Sequence, residues 1–285
     1  MKDAPLTLKS HPDHRTTVAI APQVTVGGDR LLIVGGPCTV EDAPQMAQVA
    51  RQLAAAPVQA IRGGVHKPRT SPYAFQGLGS AGLEILADLR QQFQVPVISE
   101  VMAISQIAPM AAQVDVLQLG SRNMQNFDLL KALGQTTKPV LLKRGLAATI
   151  EELVMAAEYI ISHGNPNVIL CERGIRSFDG YTRNVLDLGA VVALKQITHL
   201  PVIVDPSHAA GKRELVPDLA RAAIAAGADG LIIECHPTPD QSVSDARQAL
   251  SLEAMVDLVH SLRPIAIAVG RSMADPEVAP QPVAA

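Results

Sequence analysis

Eight short, near-continuous apolar runs punctuate the chain, at residues 31–38 (LLIVGGPC), 60–65 (AIRGGV), 95–101 (VPVISEV), 116–122 (VLQLGSR), 139–145 (PVLLKRG), 167–174 (NVILCERG), 201–208 (PVIVDPSH) and 230–237 (GLIIECHP). Runs that are apolar on both faces suit strands covered on both sides, the situation of a buried parallel sheet. Segments of helical period lie between them. Leu252, Met255, Val256 and Val259 form an i, i+3, i+4, i+7 stripe after the last run. Thr149 with Glu152 three residues on is a capping-box pattern, followed by Leu153, Ala156, Ala157 and Ile160 on one helix face. Strand and helix alternate, run starts recur every 20 to 35 residues, and the count closes at eight. This pattern predicts an α/β fold, a single-domain (β/α)8 TIM barrel over residues 31–264, where a doubly wound sheet would usually need fewer strands.

Two pieces fall outside the barrel. Residues 1–30 form an N-terminal extension in which residues 16–30 (TTVAIAPQVTVGGDR) alternate around Gly27-Gly28 like a β-hairpin, placed to plug the barrel floor. Residues 265–285 are expected to be a disordered tail, with 273–285 (MADPEVAPQPVAA) rich in Pro and Ala.

The charge balance excludes a general nucleic-acid coat, because 24 Lys plus Arg stand against 27 Asp plus Glu. Four Phe, three Tyr and no Trp leave few stacking platforms for bases. Three cysteines make no closed disulfide framework, and MKDAPLTLKS has neither an apolar signal core nor a transit-peptide composition, which points to the cytoplasm. No apolar stretch approaches the roughly 18 residues of a membrane span. No nucleic-acid or membrane partner is expected.

Barrel enzymes keep their chemistry at the C-terminal ends of the strands, and here those ends are polar. The runs end in Cys38; Arg62 with Lys67 and Arg69; Glu100; Arg122; Lys143 and Arg144; Glu172, Arg173 and Arg176; Asp205 and His208; and Glu234 with His236. Eight of the 24 basic residues thus crowd one rim of a chain with net charge -3. Cations gathered against their own repulsion imply an anionic ligand with more than one charged group. The competing explanation, solvated loop charges and surface ion pairs, fits any one arginine better than it fits the cluster.

Cys38, His208, Glu234 and Asp245 carry the thiol, imidazole and carboxylates that hold divalent transition metals, though their linear spacing matches no local metal motif and only a closed barrel brings them together. Taken singly, Cys38 and His208 also read as core residues. Cys171 and Cys235 are read as structural. GLGSAG at 77–82 fits a dinucleotide fingerprint but follows a polar segment instead of a buried strand. His208 to Lys212 (HAAGK) resembles a P-loop ending without its first Gly or closing Ser/Thr, and no G-x-S-x-G elbow occurs.

With these residues assembled, the sequence resembles the 3-deoxy-7-phosphoheptulonate (DAHP) synthases, in the compact subgroup related to 3-deoxy-octulosonate 8-phosphate synthases. The resemblance covers roughly residues 17–262 and rests on GGPCTVE (35–41), RGGVHKPRTSPYAFQGLG (62–79), LQLGSRNMQN (117–126), LLKRG (141–145), CERGIR (171–176), VDPSHAAGKR (204–213), IIECHP (232–237) and SDARQAL (244–250). It implies a homo-oligomeric enzyme, a dimer or tetramer, that condenses phosphoenolpyruvate with erythrose 4-phosphate and releases phosphate, at the first step of the shikimate pathway. It also implies that Cys38, His208, Glu234 and Asp245 hold a divalent metal ion (Mn, Fe, Co or Zn). Arg62, Arg122, Lys143 and Arg173 would grip phosphoenolpyruvate, with Arg144 beside them on the rim. Lys67, Pro68, Arg69, Thr70 and Ser71 would form the sugar-phosphate site. Lys143 would relay a proton, Glu100 would position water, and Cys38 and His208 would take part through the metal.

Three other readings compete. The octulosonate synthase uses arabinose 5-phosphate with the same rim, and its family typically shows Lys-Ala-Asn-Arg-Ser where this chain has Lys67-Pro68-Arg69-Thr70-Ser71. A Schiff-base aldolase through Lys143 leaves the Cys/His/Glu/Asp set without a use. A non-catalytic barrel would bind phosphoenolpyruvate and release no phosphate.

Overall fold

The computed structural model describes residues 3–54, 56–68 and 71–275. An antiparallel hairpin, β1 (Val18–Ala21) and β2 (Val24–Val26), precedes eight parallel strands: β3 (Leu32–Gly36), β4 (Ala60–Arg62), β5 (Val97–Val101), β6 (Val116–Leu119), β7 (Val140–Lys143), β8 (Val168–Glu172), β9 (Val202–Val204) and β10 (Gly230–His236). Each pairs with the next, and β10 pairs with both β9 and β3, so the sheet closes into a (β/α)8 barrel. All eight apolar runs are its strands. The helices are α1 (Ala43–Leu53), α2 (Ser80–Phe93), α3 (Ile104–Gln113), α4 (Phe127–Gly134), α5 (Ile150–Ser162), α6 (Leu188–Ile197), the single turn α7 (Pro206–Ala210), α8 (Val216–Ala225) and α9 (Leu252–Ala268). A two-residue strand, β11 (Leu250–Ser251), leads into α9 alongside β10.

Short polar side chains start many of these helices. Asp42, Asn126, Thr149, Asp187, Asp205 and Ser251 each accept a backbone N–H of the first turn, which satisfies a donor that the helix itself leaves unpaired. Thr149 and Glu152 form the full reciprocal box expected from the sequence. No helix among the described residues is long and apolar enough to cross a membrane.

Strand alternation sorts the core into two layers. One layer, between strands and helices, holds Ile33, Ile61, Leu117, Leu142, Leu170 and Ile233 with the inner faces of the helices. The other fills the barrel with Leu32, Val34, Ala60, Ile98, Val116, Leu141, Ile169, Cys171, Ile203 and Ile232, and Val18, Ile20 and Val26 of the hairpin pack against it. The hairpin therefore seals the barrel floor. Its turn is not at Gly27-Gly28 as the alternation suggested: the strands reverse at Pro22-Gln23, with a register shift between Ala19 and Ala21. Gly27 instead ends β2 at φ +98, where a Cβ would stand 2.2 Å from the Thr16 carbonyl oxygen.

The C-terminal segment also differs from expectation. Helix α9 continues past Pro264 to Ala268, because Ala266 and Ile265 still pack on the core. Beyond it, Leu31 N donates to Ser272 O (2.9 Å) and Ser272 N to Asp29 O (3.0 Å), while Arg271 reaches Gly28 O (2.9 Å) and the buried Asp229 (3.1 Å). Residues 265–275 are thus part of the ordered barrel base, and the rest of the expected tail, 276–285, lies outside the described residues.

Candidate active site at the barrel mouth

The same alternation that builds the inner layer aims the functional groups. Two residues beyond an inward apolar residue, the next inward position lies nearer the C-terminal rim. Ala60 thus leads to Arg62, Ile98 to Glu100, Val116 to Gln118, Leu141 to Lys143, Cys171 to Arg173, Ile203 to Asp205 and Ile232 to Glu234. On β3 the corresponding position is Gly36, at φ +137, where a Cβ would meet the Arg62 carbonyl oxygen at 2.3 Å. Past it, Gly64 N donates to Cys38 O (3.2 Å) and Val40 N to Gly64 O (3.0 Å), so the loops after β3 and β4 zip together and carry Cys38 over the rim.

Cys38, His208, Glu234 and Asp245 meet there, with one possible ligand atom from each within 4.8 Å of the others. Cys38 Sγ donates to Asp245 Oδ2 (3.0 Å) and lies 3.8 Å from His208 Nε2, which is 3.1 Å from Glu234 Oε1. Asp205 Oδ2 accepts from His208 Nδ1 (2.7 Å) and also from Lys143 Nζ. That pairing fixes the imidazole tautomer and leaves Nε2 free to act as a ligand. Burial lowers the pKa of His208, against the pull of the Asp205 and Glu234 carboxylates. Burial works to raise Glu234, but His208 and Arg62 outweigh it and keep this carboxyl ionised. Asp245 is likewise held below the usual carboxylate range, against burial, by His208 and the Cys38 thiol. Burial, then Glu234, pushes the Cys38 thiol up to about 12. An imidazole, two carboxylates and a thiol at one point are a donor set that can hold a transition-metal ion, whose charge would draw off the thiol proton.

Cations surround this set. Arg62 Nη1 donates to Glu234 Oε1 (3.0 Å), and Lys67 Nζ to Cys38 Sγ (2.6 Å) and Cys38 O (3.2 Å). A cavity of about 430 Å³ opens beside them, within the usual range for ligand sites. Its lining includes Arg62, Lys67, Arg122, Lys143, Arg173, Arg176 and Arg183, with Glu100 and Asp245 as the carboxylates. Arg173 is only 5% exposed, and among the described residues its guanidinium makes one hydrogen bond, to Gly174 O (3.5 Å), and no ion pair. Burial depresses its pKa, the mark of a desolvated charge short of counterions. Glu100 accepts from Gln118 Nε2 (3.2 Å), and its carboxylate lies so close over Gly120 that a Cβ there would fall 2.0 Å from Oε1.

The structure brings together Arg62, Lys67, Pro68, Glu100, Arg122, Lys143, Arg173, His208 and Asp245 along this cavity, with Cys38 and Glu234 beside His208 and Asp245 behind the lining. Arg144 departs from the expectation. It follows the inward Lys143, so it points outward, where Glu172 (2.8 Å) and Asp187 (3.0 Å) bind it and it does not line the cavity. Ser71 is exposed in the loop after β4 and also lies off the lining, its Oγ accepting from Tyr73 N (3.3 Å). Arg69 and Thr70 lie outside the described residues. His236 is buried on Glu41 (3.2 Å), Cys171 belongs to the inner layer and Cys235 to the outer, all of them packing positions. Gln118, Arg183, Asn184 and Gln248 were not anticipated. The period-two register from Val116 signals Gln118; the other three sit in loops without a period.

A (β/α)8 barrel whose mouth sets an under-paired cation cluster beside a Cys/His/Glu/Asp donor set defines a class: barrel enzymes acting on small, multiply anionic substrates. Within that class, the sequence matches the DAHP synthetase I family over residues 8–266, and the chain belongs to this family and is an enzyme. It is 45% identical over 260 residues to the phospho-2-dehydro-3-deoxyheptonate aldolase of Thermotoga maritima, spanning 91% of this chain and 76% of that protein. A 2-dehydro-3-deoxyphosphooctonate aldolase of Bradyrhizobium diazoefficiens is 35% identical over 271 residues, spanning 87% of this chain and 95% of that protein. The fold superposes on the crystal structure of the Thermotoga maritima DAHP synthase with a TM-score of 0.92 at 43% identity, over 95% of this chain and 79% of that one. A truncated form of the 3-deoxy-D-arabino-heptulosonate 7-phosphate synthase from the same organism gives 0.88 at 39% identity, over 94% and 98%.

Proposed function

We propose that this enzyme condenses phosphoenolpyruvate with erythrose 4-phosphate and water to give 3-deoxy-D-arabino-heptulosonate 7-phosphate and inorganic phosphate, using the mouth cavity as its active site. The observation that carries this is Arg173, a buried guanidinium with no carboxylate ion pair among the described residues, in a wall shared with Arg122, Arg176 and Lys143. Two phosphates and a carboxylate are the counterions such a wall calls for. Cys38, His208, Glu234 and Asp245 would hold a divalent ion (Mn, Fe, Co or Zn), which supplies Lewis-acid polarisation of a carbonyl oxygen.

Arg122 and Arg173 bind the phosphate of phosphoenolpyruvate, and Arg62 and Lys143 its carboxylate side. Lys67 and Pro68 take the sugar phosphate, while a part for Arg69, Thr70 and Ser71 rests on the family resemblance alone. A bond forms between C3 of phosphoenolpyruvate and the aldehyde carbon, whose oxygen gains a proton. Water adds at C2 and gives up one proton, and the C2–O bond to phosphate then breaks as the remaining hydroxyl proton passes to the departing phosphate, leaving the keto product. Lys143 Nζ, oriented by Asp205, is the relay for these protons. Glu100, fixed by Gln118, orients the water. Arg122 and Arg173 stabilise the departing phosphate. Homo-oligomeric assembly, which rests on the family resemblance, and a cytoplasmic location, which rests on sequence composition, belong to the same proposal.

Phosphate release from phosphoenolpyruvate, measured with erythrose 4-phosphate or arabinose 5-phosphate, each with added Mn²⁺ or with a chelator, tests the proposal. Release with erythrose 4-phosphate that is lost on chelation supports it. Preference for arabinose 5-phosphate would assign the octulosonate reaction instead, and chelator-resistant release would remove the metal role of Cys38.

A further inference from the structure

We infer that Arg183 is a positioning residue for the metal-ligand set: its guanidinium, with Asn184 beside it, ties three of the four donors into one frame. The inference rests on reading those four residues as a metal site. Arg183 and Asn184 lie on the long segment between β8 and α6 and belong to no strand or helix.

Arg183 Nη1 donates to Asp245 Oδ1 (3.0 Å), which leaves Oδ2 turned toward Cys38. The same nitrogen donates to Gln248 Oε1 (3.1 Å), and Gln248 Nε2 donates in turn to Glu234 Oε2 (2.6 Å), so the second donor is held through one intermediary. Asn184 Nδ2 donates to His208 O (3.0 Å), while the backbone N–H groups of Arg183 and Asn184 bind Ala210 O (3.0 Å) and Ala209 O (2.8 Å). The dipeptide therefore pins the turn that carries His208. Cys38, the fourth donor, is held separately by Lys67 and by Gly64 N.

Asp245 shows why such a frame is needed. Its φ of +55 puts a residue with a Cβ in the left-handed region, a conformation that persists where the surroundings dictate it. Its loop has no strand or helix at that point to fix the carboxylate. Partners that orient metal ligands tune affinity, and losing one typically costs about 10- to 100-fold. Removing the guanidinium frees Asp245 to turn and leaves Gln248 without the bond that aims it at Glu234.

The test is the Mn²⁺ dissociation constant, measured by chelator competition on protein stripped of metal, for the parent enzyme, R183A, R183K and Q248A. R183A is expected to bind Mn²⁺ about 10- to 100-fold more weakly. R183K should fall between, because an ammonium on a more flexible stem keeps the charge beside Asp245 but holds the two acceptors less rigidly than the planar guanidinium. Q248A, which cuts only the link to Glu234, should show a smaller loss in the same direction and serves if R183A does not fold. Parent-like Mn²⁺ affinity in R183A or, if it does not fold, in both R183K and Q248A overturns the inference. A parent enzyme that binds no Mn²⁺ overturns the metal-site reading itself, a separate and recognisable result.

Discussion

Two arginines one strand apart illustrate how a single residue's environment decides its role. Arg173 is buried and short of counterions, whereas Arg144 is buried and paired with Glu172 and Asp187. R173A is therefore expected to lower kcat/KM for phosphoenolpyruvate by roughly tenfold to a hundredfold, the loss of about 1.5–3 kcal/mol from charge-assisted bonds. Steady-state kinetics measures this, and a melting temperature no lower than the parent's would confirm that the arginine does not serve stability. R144A should do the reverse. It strands Glu172 in the core and should cost on the order of 3 kcal/mol or more in denaturant unfolding, with the KM for phosphoenolpyruvate unchanged. The thiol of Cys38 gives a pH prediction at the same scale. Held at about 12 by burial and Glu234, it must release its proton when an ion binds. Metal affinity should therefore rise with pH, by up to about tenfold per unit, with close to one proton released per ion. Calorimetry in buffers of different ionisation enthalpy counts that proton; none released would mean that Cys38 is not a ligand.

At the scale of strands and helices, legibility follows periodicity. The eight strands and the cap of α5 were readable because each obeys a repeat of two or of 3.6 residues, and the outcome at Thr149 and Glu152 is the reciprocal bond pair that the pattern encodes. T149A should accordingly cost about 1 kcal/mol in thermal or denaturant unfolding and leave catalysis intact. Parity along a strand explains both a miss and an error. Gln118 is inward because Val116 is, and Arg144 is outward because Lys143 is inward. Reading run ends as a cluster, without following the alternation to its last residue, includes Arg144 and overlooks Gln118. The hairpin turn was misplaced for a different reason. Gly27 has the positive φ of a turn glycine, but uses it to leave β2 beneath the barrel, while Pro22-Gln23 makes the reversal.

Over the whole molecule, the barrel was legible because closure needs only the count and spacing of strands, but the loops that complete the site were not. Arg183, Asn184 and Gln248 act through contacts 14 to 65 residues apart in sequence, which no local pattern announces. The C-terminal base was hidden likewise, since Arg271 and Ser272 are ordered by partners at Gly28, Asp29 and Asp229 on the far side of the chain. The central claim is that barrel closure makes one site from a metal-ligand set and an anion wall. A crystal structure of the enzyme with Mn²⁺ and phosphoenolpyruvate, with an anomalous map at a wavelength where Mn scatters, tests it directly. The account predicts one anomalous peak bounded by Cys38 Sγ, His208 Nε2, Glu234 Oε1 and Asp245 Oδ2, with the substrate phosphate against Arg122 and Arg173. A metal bound elsewhere, or phosphoenolpyruvate outside this mouth, would contradict it.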